Sequence, residues 1–197
     1  MDKIAYKEGL QLVGHFKLQV YDNVGSVDQF KRFLEEEKNR DNFGFSVDKD
    51  NLIVNTGLML ASRALYKSNN KGVVALAFGS GGAPANDPFT PIPPVVSDSE
   101  LVEEEFRVPI AAANVTYSDI SPYSVTFTTI ITNADYSGVS YLNEAGLVGN
   151  VNKPSDPVIE LDLFSKISFP SIPFTGSVIK GILAEWTIFL KASSSTT

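Results

Sequence analysis

Residues 51–82, NLIVNTGLMLASRALYKSNNKGVVALAFGSGG, place a helix pattern and a strand pattern side by side. Asn55 or Thr56 offers a side-chain oxygen to a free backbone N–H at a helix start, and Leu58, Ala61 and Leu65 then recur at helical spacing. Met59, Leu60 and Ala64 make the other side apolar too, so this helix is expected to lie against a sheet or a partner. Val73 to Phe78 runs apolar without a break, the pattern of a strand buried on both faces, until Gly79-Ser80-Gly81-Gly82 stops it.

On the N-terminal side of this stretch, residues 1–11 are charged and read as an arm. Leu12, Phe16, Leu18 and Val20 nearly alternate before the turn residues Asp22-Asn23-Val24-Gly25, which predicts an edge strand. Ser26 with Gln29 has capping-box spacing. Val27, Phe30, Phe33 and Leu34 share one face of the helix that follows, and Lys31/Glu35 and Arg32/Glu36 lie at i,i+4 on the other. The spacing predicts a short inserted helix over 27–38 and a further short strand over 43–47.

On the C-terminal side, residues 79–97 contain three Gly and five Pro. Proline cannot donate to a sheet ladder, so this is a long exposed connection. It runs into Asp98, Glu100, Glu103, Glu104 and Glu105, five carboxylates in eight residues. Strand patterns follow over 106–117 (interrupted at Pro109), 123–132, 139–148, 158–169 and 177–191. The cleanest is 123–132, with Tyr123, Val125, Phe127, Thr129 and Ile131 on one face. In 158–169, Ile159, Leu161, Leu163, Ile167 and Phe169 are assigned to one side, and in the last strand Val178, Ile182, Ala184, Trp186, Ile188 and Leu190 point inward. Many strands and only two helices predict a mainly β fold, an antiparallel β-sandwich with one packed helix and a small inserted N-terminal helix. The expected organisation is an arm (1–11), one domain (12–191, its long loop at 79–105) and a polar tail (192–197).

At 197 residues with 43% hydrophobic and 20% charged side chains, the chain suits one domain burying roughly 70% of its unfolded surface. Net charge −7 with no basic stripe argues against nucleic acid as a partner. There is no cysteine and a single histidine, His15, which excludes thiolate and multi-histidine metal sites. The start, MDKIAYKEGL, lacks the apolar segment of a leader, and no run approaches a membrane span; the chain is expected to be soluble and to keep its own N-terminus.

No catalytic signature is present, and no catalytic, cofactor-binding or metal-binding residue is assigned. Gly79-Ser-Gly-Gly lacks the Lys and helix start that phosphate binding requires. The acidic run lacks the glycine-punctuated spacing of a calcium loop, and its carboxylates cannot be paired for sugar hydrolysis. His15 reads as a hydrogen-bonded strand residue. Arg107 and Glu144 sit among apolar strand residues where an unpaired charge is costly, and they are expected to pair with each other. Tyr123, Phe127 and Trp186 read as core in preference to a sugar-stacking platform.

The order of these pieces resembles a loose group of tailed-bacteriophage virion structural proteins, found among tail, fibre and head-associated components. The matching pieces are the first strand with its Asp turn, Asn51-Leu-Ile-Val-Asn55-Thr-Gly57-Leu58 opening a helix, and the apolar strand ending at Gly79-Ser-Gly81. The acidic segment running into Arg107-Val-Pro109, then Glu144-Ala-Gly146-Leu147, Phe169-Pro170 and the Trp186 strand complete the series. The inserted helix and the long proline-rich loop depart from the group's pattern.

The resemblance implies a non-enzymatic particle component, made in the host cytoplasm and residing in the virion, in the tail, neck or fibre-attachment region. Alternatives are a capsid decoration or head-fibre protein and a carbohydrate-binding module. Its expected partners are further copies of itself and other virion proteins, with a host-surface glycan as a lesser possibility and neither nucleic acid nor membrane. Segments that cannot bury themselves gain stability at an interface, which marks Phe30, Phe33 and Leu34 of the inserted helix and Phe89, Ile92 and Val95 of the loop as interface candidates.

Overall fold

The computed structural model describes residues 7–22, 24, 26–36, 43–64, 72–132, 135–136, 138–151, 160–174 and 180–195. In chain order these form β1 (Lys7–Asp22), α1 (Val27–Glu35), β2 (Phe45–Ile53), α2 (Asn55–Ala64), β3 (Val73–Gly79) and β4 (Glu104–Pro109). A short 3-10 turn (Ala112–Asn114), β5 (Val115–Ser118), β6 (Tyr123–Ile131), β7 (Tyr141–Val151), β8 (Glu160–Pro173) and β9 (Lys180–Ser195) follow. The strands pair antiparallel in the order β4-β3-β7-β8-β2-β1-β9-β6-β5. The chain is therefore mainly β, with two α-helices among the described residues.

Where the sequence predicts two separate sheets, hydrogen bonding runs on through β2. Its residues Phe45–Asn51 pair with β1, and Leu52 and Ile53 pair with β8. The nine strands thus form one sheet curled into a half-barrel. Its concave face closes on a single core that takes Phe16 and Leu18 from β1, Leu147 from β7, Ile167 and Phe169 from β8 and Trp186 from β9. Phe16 stacks on Phe169 at 6.2 Å and tilts against Trp186 at 4.7 Å. Burying each such side chain contributes about 1.5–3 kcal/mol.

The crossover of β2 is fixed by Asn51. An indole N–H and a backbone N–H can only donate, so the Asn51 carboxamide turns its oxygen to Trp186 Nε1 (2.8 Å) and the His15 N–H (2.9 Å), and its nitrogen to Ser165 Oγ. Gly14 leaves the room: a Cβ there would lie 1.8 Å from the Asn51 side chain.

Several expectations are corrected. β1 is not an edge strand: it spans 16 residues between β2 and β9, which pair along both of its hydrogen-bonding edges. Lys7–Gln11, assigned to the arm, pair with Lys191–Ser195, and Ala192–Ser195 of the expected tail belong to β9. Residues 1–6 lie outside the described residues.

α1 begins where its capping signal placed it, with Ser26 Oγ accepting from the Gln29 N–H at 3.3 Å. In α2 the buried side chain is Leu60, while Leu58 is half exposed and Leu65 lies outside the described residues. The close approach of Gly57 to β8 sets that rotation, since a Cβ at Gly57 would stand 2.0 Å from the Phe164 carbonyl oxygen. In β8 the register shifts opposite Leu147/Val148. Leu163 consequently joins Val54, Ala77, Leu101 and Val148 in a second cluster, whereas Ile167 and Phe169 remain in the main core.

Candidate functional site

The chain leaves β3 through Gly79-Ser80-Gly81-Gly82 into a long irregular loop that returns at Glu103. Both ends of this loop are drawn against β7. A Cβ at Gly79 would lie 2.3 Å from the Glu103 carbonyl oxygen, and one at Gly82 2.4 Å from that of Asn143. Glycine is needed here because backbone meets backbone.

The anchor is Glu144, which is 0% exposed. Its Oε1 accepts from the N–H of Gly81 (3.2 Å) and of Glu103 (2.9 Å), and its Oε2 from the N–H of Val102 (3.1 Å). Beside it Asn143 Oδ1 accepts from the Gly82 N–H at 2.6 Å, and its nitrogen donates to Ser171 Oγ at 3.2 Å. Gly-rich backbone that resembles a phosphate cradle therefore holds the protein's own carboxylate. Three N–H donors occupy the acceptor sites of one buried carboxylate.

The positive charge facing Glu144 is Lys166 of β8, buried with its Nζ 3.3 Å from Glu144 Oε2, 3.5 Å from Asp98 Oδ2 and 3.4 Å from the Glu100 carbonyl oxygen. The expected Arg107–Glu144 pair is corrected accordingly. Arg107 sits on β4, near the sheet edge, and grips Glu104 three residues back through Nε and Nη2, while Glu144 takes Lys166. The sequence did signal a buried charge at Glu144. Lys166 carries a signal as well, as the one cation of β8 with apolar and hydroxyl-bearing neighbours on either side.

The acidic run is dispersed. Asp98 accepts from the Val95 N–H at 3.2 Å, Glu104 is taken by Arg107, and Glu105 accepts from Ser80 Oγ. Among the described residues, no group of three or more His, Asp or Glu is placed to hold a metal ion. His15 lies between two carboxylates of β2, with Nε2 2.8 Å from Asp48 and Nδ1 3.1 Å from Asp50.

The interface candidates divide. Phe30 is fully buried in its own subunit, edge-on to Tyr21 at 5.2 Å, and Phe33 and Leu34 pack against the same cluster. The amphipathic face of α1 rests on this cluster, so Phe30 is corrected from interface to core, while Phe33 and Leu34 are half-buried against it. Phe89, Ile92 and Val95 are 71%, 50% and 55% exposed. Their loop is nevertheless tied to the body: the N–H groups of Ile92, Asn55 and Ser171 donate to the carbonyls of Gly82, Val96 and Pro88 at 2.8–2.9 Å. Of the three aromatic residues weighed as a sugar platform, Phe127 and Trp186 are core and only Tyr123 is exposed.

Two concavities stand out. A cleft of about 290 Å³ between the ends of the curl is lined by apolar side chains such as Leu12, Leu60, Val125 and Phe164. A groove of about 500 Å³ beside α1 has Lys17, Glu185 and Thr128 on its floor. Among the described residues, neither is lined by a nucleophile hydrogen-bonded to a base. No protein-family model, no curated protein and no solved structure matches this chain.

Proposed function

We propose that the chain is a non-enzymatic assembly module, a sandwich-like β body holding one stiff apolar loop out to a neighbour. The observation that carries this reading is the pairing of exposure and restraint in that loop. Phe89, Ile92, Val95, Val96 and Val102 are all at least half exposed, five large apolar side chains that one loop presents to solvent, and exposed apolar surface marks interaction sites. A loop pinned at Gly81, Gly82, Val102 and Glu103 loses little further entropy when it docks. The phage-particle setting follows from the sequence resemblance alone. On it we place the module in the virion, in the tail, neck or fibre-attachment region, contacting its own copies and other particle proteins, with capsid decoration as the second reading.

The test is the mass distribution of the purified chain in solution together with its position in the intact particle. A symmetric oligomer, located by imaging in the tail or neck, is the expected result. A chain that stays monomeric at every concentration, and that cross-links to no particle protein, would overturn the proposal.

A further inference from the structure

We propose that Lys166 and Asp98 condense into an intramolecular amide, with Glu144 carrying the protons. The three side chains meet under the loop: Nζ of Lys166 stands 3.5 Å from Oδ2 of Asp98 and 3.3 Å from Oε2 of Glu144. The oxygen at 3.5 Å is bonded to Cγ, the atom the amine has to reach, and holding the two groups side by side supplies much of the entropy of bringing them together. Charge-assisted N–H···O contacts settle at about 2.7–2.9 Å, so this ammonium has no optimal ion pair although its side chain is 5% exposed. Condensation discharges Lys166 and Asp98 together and leaves the Glu144 carboxylate on its three backbone N–H donors.

The surroundings suit the reaction. Leu101 and Leu163 meet over Gly146, the register partner of Lys166, and exclude the water that would reverse it. The Val95 N–H on Asp98 Oδ2 at 3.2 Å stabilises charge developing on that oxygen as the carbonyl is attacked. Three backbone N–H groups fix the Glu144 carboxylate beside the amine. Through Glu144 one ammonium proton passes to Asp98, leaving a neutral amine and a neutral carboxyl. The amine lone pair forms the Nζ–Cγ bond, nitrogen gives up a second proton through Glu144, and the protonated Asp98 oxygen leaves with it as water. An ammonium and a carboxylate become an amide and one water; nothing is oxidised or reduced, and no co-reactant is needed. The product locks the loop onto β8.

The experiment is intact-mass spectrometry and tryptic mapping of the folded full chain. The wild type is expected to weigh one water less than its sequence, to resist trypsin at Lys166, and to yield a branched peptide joining that residue to Asp98. Asp98→Asn is expected to lose one ammonia instead, because nitrogen is then the leaving group. Lys166→Arg, folded by circular dichroism, is expected at full mass. Wild-type protein at its full sequence mass after prolonged incubation in the folded state overturns the proposal. So does loss of water in Asp98→Ala, and so does a folded Glu144→Gln variant that reacts as fast as the wild type.

Discussion

The Glu144 carboxylate and the Gly81 N–H, 63 positions apart in the chain, meet in a 3.2 Å hydrogen bond that fastens the start of the long loop to β7. The same carboxylate holds the loop's far end through Val102 and Glu103. One side chain therefore closes a loop of more than twenty residues.

Glu144→Ala removes the acceptor of three backbone N–H groups and the close counter-charge of Lys166. Breaking a buried pair from one side costs about 3–5 kcal/mol. Arg107→Ala breaks a pair on the surface, where such contacts contribute about 0.2–1 kcal/mol. Denaturant midpoints of the two variants test the assignment, and equal losses would contradict it.

Gly57→Ala separates helix propensity from packing. Alanine favours a helix over glycine by about 1 kcal/mol, yet a Cβ at Gly57 would sit 2.0 Å from the Phe164 carbonyl oxygen. Backbone cannot rotate aside as a side chain does, so overpacking of about 1–3 kcal/mol wins. Net destabilisation is expected at Gly57, whereas Gly72→Ala, with open space around it, is expected to change the unfolding midpoint little.

These sites also mark how far the sequence could be read. Helix α1, the alternation of β6 and the apolar run of β3 were legible because a local period fixes each. The central place of β1 was not, since its flanking strands come from positions far along the chain. Leu163 and Ile167, four residues apart and on one face by simple alternation, fall in different clusters because of a one-residue bulge between them that leaves no periodic trace. In the site, an acid amid apolar strand residues announced Glu144 as buried. Its partner is set by which strand lies beside β7, and that is topology.

Tyr136 gives a dependence on pH. Its O–H donates to the Lys180 carbonyl oxygen at 2.7 Å and accepts from the Lys180 N–H at 3.0 Å, tying the β6–β7 connection to β9. Burial raises its pKa above the ordinary tyrosine value, opposed by the Lys180 backbone bond and reinforced by the Asp135 charge. A phenol whose folded pKa is raised holds its proton longer when folded. Its contribution to stability is therefore complete below the unfolded pKa of about 10 and is lost as pH climbs through the folded value. Urea midpoints across that alkaline window are expected to fall more steeply in the wild type than in Tyr136→Phe; parallel curves would contradict the burial argument.

Phe30 and Phe89 sit at opposite ends of the distinction between core and contact surface, and substituting each one resolves it. Phe30→Ala empties a site that is 0% exposed and is expected to cost about 3–5 kcal/mol without a separate effect on association. Phe89→Ser with Ile92→Ser removes two exposed apolar side chains from a loop whose backbone hydrogen bonds are untouched. Such surface changes leave stability within about 0.5 kcal/mol, so the denaturation midpoint is expected to hold. Association is expected to weaken, because apolar area in the centre of a docking patch supplies most of the energy of binding. Light scattering across a concentration series reads the second effect and urea unfolding the first. If the double variant associates as the wild type does, the loop is not the contact surface.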